Sequence, residues 1–176
     1  DLRTNAEALE LTFAEAYNQG RIPVETYEAL QARRLRLTDA VLYAKREATG
    51  FSGYEQLIKS SDSEIDGVRN IHNAILKPGE LFLIKGISFS WYQGPAENAI
   101  NNYVLGRKIG SIQIDKALQN SMFVIKQNSK TLLEQPVEML LPYDLGTTPA
   151  GNEEMFKRLF PYVVITDQSK FELALQ

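Results

Sequence analysis

The segment LKPGELFLIKGISFSW (residues 76–91) marks a change of hydrophobic period, and that change constrains what this 176-residue chain can fold into. Before it, apolar residues recur at helical spacing. After it they bunch or alternate with period two, as strands do, up to the last residue. One chain with both periods, in that order, predicts an α+β protein: a helical N-terminal region followed by an antiparallel β-sandwich of jelly-roll type. Pro78-Gly79 is the punctuation between them, because proline cannot continue a helical ladder and the dipeptide makes a turn. The expected units are residues 1–78 and 79–176.

In the first unit, Leu9, Phe13 and Ala16/Tyr17 define a helix over 5–19, with Asn5 as N-cap and Gly20 at the C′ position. Pro23 fits the first turn of a second helix. Val24, Tyr27, Leu30, Leu37, Val41 and Ala44 form its stripe, interrupted by Arg34, and the helix is expected to run to about Ala48, before Gly50. The short connector at Gly20 predicts an antiparallel helical hairpin. Ser52 and Glu55 have capping-box spacing and suggest a third helix. Ser63 and Asp66 precede a fourth, with Ile65, Val68, Ile71 and Ile75 as its stripe.

In the second unit, residues 81–84 form a continuous apolar run, as in a strand buried on both faces, and Gly86 suggests a bulge. Ile87, Phe89 and Trp91 alternate with serines. Further strands are expected at 102–105, 108–115, 121–127, 130–134, 136–141 and 161–166. Over 170–176, Phe171, Leu173 and Leu175 share one face. Asn128-Ser129 and Asp167-Gln168-Ser169 read as hairpin turns, and 152–159 as one or two helical turns. About seven or eight short strands with frequent turns suit an antiparallel sandwich better than a parallel α/β sheet.

Composition narrows the function classes. Hydrophobic residues are 44% and charged residues 23%, an ordinary globular balance, and the net charge is −3. Such a chain has no bulk attraction to nucleic acid or anionic membrane. The absence of cysteine excludes disulfides and thiolate metal sites. No apolar run approaches the roughly 20 residues that a spanning helix needs. No signal-peptide pattern is read, and Asp1 in place of Met is expected from processing or an internal start.

The residues with chemical potential are few. His72, the one histidine, lacks companions for a metal site, and a polar helix position accounts for it. Glu153-Glu154, Glu134 with Glu138, and Asp144 offer carboxylates for a hydrolase, but their spacing places no two across a cleft, and a solvated surface accounts for them. Arg33, Arg34, Arg36, Lys45 and Arg46 make the strongest charge feature, assigned to the second helix. Phosphate contact with nucleic acid or lipid headgroups is one reading, and a solvated face pairing with the first helix's glutamates is the favoured one. Gly106 and Gly110 flank Arg107-Lys108 without a phosphate-loop pattern. Among the aromatics Trp91, Tyr92, Tyr103, Tyr143, Phe160 and Tyr162, the core suits Trp91 as it does Phe89. Trp91, Tyr92 and Tyr143 are the candidate ligand or interface contacts.

The runs ILKPGELFLIKGISFSW, NSMFVIKQNSKTLLEQPVEMLLPYD and FPYVVITDQSKFELALQ resemble the strands of single-jelly-roll virion proteins, capsid or vertex components of tailless bacteriophages. The resemblance is one of pattern and covers the β region alone. It implies a structural, non-enzymatic virion protein that forms homo-oligomers and contacts other structural subunits. No cofactor, metal or small-molecule substrate is expected. A sandwich that binds carbohydrate or peptide through Trp91, Tyr92 or Tyr143 is the alternative.

Overall fold

The computed structural model describes residues 5–46, 53–89, 118, 120–140, 156–167 and 169–176. Two helices come first, α1 (Asn5–Asn18) and α2 (Val24–Gln31). They are followed by β1 (Glu55–Ile58), β2 (Leu81–Ile87), β3 (Met122–Gln127), β4 (Lys130–Pro136), a single helical turn α3 (Val137–Leu140), β5 (Lys157–Thr166) and β6 (Phe171–Leu175). The strands form an antiparallel four-stranded sheet of order β1-β6-β3-β4 and an antiparallel ribbon of β2 and β5. The architecture is α+β, with the helices first.

Helix α1 forms where the stripe predicts it, with Phe13 and Ala16 buried and Tyr17 stacked on Tyr27 of α2 at 4.2 Å between ring centroids. Gly20 closes it as a C′ residue: its N–H donates to the Tyr17 carbonyl, and that of Arg21 to Ala16. This is the Schellman arrangement, which satisfies carbonyls left free at a helix end. The same arrangement ends α2 far earlier than the stripe suggests. Arg33 adopts φ 56°, its N–H donates to Leu30 O, and that of Arg34 to Ala29 O. The second helix therefore stops at Gln31, and the chain returns without helix to pair Ala44 with Arg69.

Strand β2 explains the continuous apolar run. Leu81 and Leu83 pack with Tyr162 and Val164 of β5 against Phe13, Ala16 and Ile22 on the helical side. Phe82 and Ile84 face the other way with Val163 and Ile165, toward Phe123, Ile125, Phe171 and Leu175 of the four-stranded sheet. The ribbon is thus a middle layer between the helices and the larger sheet. The expected bulge lies between Ile84 and Gly86, where the partners jump from Val163 to Arg158. Gly86 suits the close approach there: a Cβ would sit 3.2 Å from the Lys157 carbonyl oxygen and 3.3 Å from Phe156 Cβ, a tight fit.

The turn at Lys77–Glu80 has proline then glycine at its centre, and Gly79 has φ +82°. The Glu80 N–H donates to Lys77 O, and the Gly79 N–H donates to the Asp167 carboxylate. Strands β3 and β4 form the expected hairpin, and Asn128 and Ser129 both take positive φ, as a two-residue type I′ turn requires.

Several expectations are corrected. The proposed third helix is instead strand β1, paired with β6, so a four-residue capping signature yields to sheet pairing. The proposed fourth helix is a set of turns and isolated bridges, with Gly67, Asn73 and Ala74 at positive φ. Residues 137–140 are helical where a strand was expected, and 157–159 are strand where a helical turn was expected. The segment 167–169 joins two different sheets and is no hairpin. The strands expected at 102–105 and 108–115 lie outside the described residues.

At that crossing a buried amide fills the corner. Gln127 Nε2 donates to Thr166 O at 2.8 Å and Ser169 O at 2.9 Å, and its Oε1 accepts from the Thr166 N–H at 3.1 Å. Gln127 belongs to β3 and Thr166 to β5, so one side chain ties the sheet to the ribbon. Replacing it with Leu leaves a buried N–H and two carbonyls without their partner, and loss of such bonds costs about 1–3 kcal/mol per group left unpaired. Gln127→Leu is expected to lower unfolding stability by about 3 kcal/mol, read from urea denaturation.

Candidate functional site

The basic residues do not form one surface. Arg33, Arg34 and Arg36 lie beyond the end of α2, all exposed, and make no ion pair among the described residues. Lys45 and Arg46 sit on the returning segment and are half-buried. Arg46 is committed elsewhere: its Nη2 lies 2.7 Å from Asp62 Oδ2, and its Nε donates to Gln56 O at 3.3 Å. The early end of α2 is what separates the two groups.

Asp62 is the centre of a charged knot that the sequence reading did not single out. Its carboxylate accepts from Arg46 and from the Lys59 N–H at 2.8 Å, and Arg69 Nη1 approaches to 4.0 Å. Its side chain is 9% exposed. The Arg69 Nε–H donates to Ser63 O, and the Asn73 N–H donates to Asp62 O. These bonds bind the irregular stretch 59–73 to the segment before β1. The sequence signal was the polar turn KSSD after an apolar pair.

A second polar contact fastens α1 to the ribbon. The Tyr162 hydroxyl donates to Glu15 Oε2 at 2.8 Å, and Gln19 Oε1 accepts from the Tyr162 N–H at 3.1 Å. Burial, then the hydrogen bond and the negative charge of Glu15, hold the Tyr162 phenol above its ordinary value, with Arg158 opposing.

A shallow cavity of about 170 Å³ opens between α1 and the end of α2. Leu9 and Glu10 form one wall, and Leu30, Arg33, Leu35 and Leu37 the other. Elsewhere, Phe156 and the first half of β5 leave Phe156, Lys157, Arg158, Phe160 and Pro161 exposed around buried Leu159. Phe160 is 83% exposed.

His72 is exposed and bridged to Ile75 across a tight turn, not on the helix expected for it. Glu134 and Glu138 are exposed on β4 and α3. Among the described residues no group of three or more histidines, aspartates or glutamates is placed to hold a metal ion. No helix among them is long and apolar enough to cross a membrane. Trp91, Tyr92, Tyr103, Tyr143, Asp144, Glu153 and Glu154 lie outside the described residues, whereas Phe89 packs against the main core as expected. No family model, curated protein or solved structure matches this chain.

Two outcomes follow. Asp62→Ala leaves two arginines without their shared carboxylate and is expected to lower stability by about 3 kcal/mol in urea denaturation. The folded state favours the neutral Tyr162 phenol, so that contact contributes fully below about pH 10 and is lost as pH rises through the raised value. Tyr162→Phe is expected to flatten this part of the alkaline fall in melting temperature.

Proposed function

We propose that this chain is a structural protein that self-assembles, with a capsid or vertex component of a phage or other virus as its specific form. The exposed stretch of β5 carries the assembly reading. Phe160 stands in solvent beside Pro161, with Phe156 and two cations on the same stretch. Burying such a phenylalanine is worth about 1.5–3 kcal/mol, which an isolated chain forgoes and a neighbouring copy recovers. Apolar anchors ringed by polar groups are the usual core of a protein interface.

Among the described strands, one side of each ribbon strand and of β1 and β4 has no partner strand, which adds support, since exposed strand edges are commonly covered by association. The virion form is supported by the strand pattern of the sequence, by the antiparallel pairing of the described strands and by the helices that precede them. A jelly roll is the finer form of the fold that this reading requires.

The test is size-exclusion chromatography with light scattering on the purified chain, followed by electron microscopy of the peak. A symmetric oligomer or closed particle is expected. A monodisperse monomer at high concentration would overturn the reading.

A further inference from the structure

We infer that the cleft between α1 and the end of α2 is a two-fold contact between copies of this chain. The inference rests on the self-assembly reading and specifies one of its surfaces.

The argument begins with the asymmetry of the cleft. Its α1 wall carries an acid, Glu10, and its opposite wall a base, Arg33. Both are exposed, and no ion pair joins them among the described residues. A two-fold axis through the cleft sets the acidic wall of each copy against the basic wall of the other, so the surface is complementary to itself. A partner of different sequence would need both charges supplied in the matching order, whereas a second copy has them by construction.

Size and chemistry agree with that occupant. A cavity of about 150 Å³ takes a benzene-sized group, so the 170 Å³ here takes one aliphatic side chain. Leu35 stands on the rim at 38% exposure, and Leu11 on α1 is 44% exposed. Leu35 of the partner subunit is of the right size to enter, with Glu10 facing Arg33 of the partner subunit. The early stop of α2 makes this arrangement: a helix continuing through Arg33 would keep Arg33 and Leu37 on one face and turn Leu35 to the other, whereas the chain that leaves the left-handed residue brings all three to one wall.

The experiment measures oligomer dissociation by sedimentation velocity over a concentration series. It compares the unmodified chain with Glu10→Arg, Arg33→Glu and the double reversal. Each single reversal sets like charges against each other and is expected to weaken association at least about tenfold. The double reversal is expected to restore it to within about threefold, which separates lost pairing from lost folding. Leu35→Asp is expected to weaken association as a single reversal does. Single reversals that leave the oligomer unchanged, or a double reversal that fails to restore it, would overturn this surface while leaving self-assembly intact. A monomer at every concentration of the unmodified chain would overturn both.

Discussion

The ribbon of β2 and β5 is covered on both faces, and the described fold depends on that. Two strands alone are marginal in water, because a single hairpin exposes as much apolar surface as it buries. Here each strand divides its side chains by period. Leu81, Leu83, Tyr162 and Val164 serve the helical layer, while Phe82, Ile84, Val163 and Ile165 serve the core of the larger sheet. Removing the helices would bare one face of the ribbon, and removing the sheet the other. The two apolar clusters are separate in space and share the same backbone.

A middle layer needs its position fixed, because apolar contacts alone permit sliding. Three polar contacts supply that register. Gln127 fixes the end of β5 to the end of β3 through both halves of its amide. Tyr162 fixes β5 to α1 through Glu15 and Gln19. Asp167 accepts from the Gly79 N–H and so fixes the turn that launches β2 against the exit of β5. Directional bonds specify geometry where dispersion and hydrophobic burial do not.

What was legible in the sequence follows from how local each signal is. Helix α1, the turn at Pro78-Gly79, the hairpin at Asn128-Ser129 and the doubly covered run at 81–84 all rest on residues near one another in the chain, and each is present, whereas the helical period expected up to residue 76 holds only to Gln31. The early end of α2 was not legible, because it depends on an arginine in the left-handed region where glycine is the usual sign. Strand β1 was misread because four residues fit either period, and its choice is made by β6, over a hundred residues later. Gln127 takes its partners from Thr166 and Ser169 of a distant segment, so no local pattern distinguishes it. Asp62 had a local sign in its polar turn, but its ion pairs come from Arg46 and Arg69 on other segments.

The bulge in the ribbon limits what could pair along the edge of β5. Between Ile84 and Gly86 the β2 strand advances by two residues while β5 moves from Val163 to Arg158. The surplus chain, with Phe160 at its crest, interrupts the regular row of backbone donors and acceptors along β5. A strand laid beside it would lose hydrogen bonds over that stretch, so the ladder is a poor template for indefinite edge-to-edge growth. Any contact made there would be one of side chains, with a fixed shape and a finite extent.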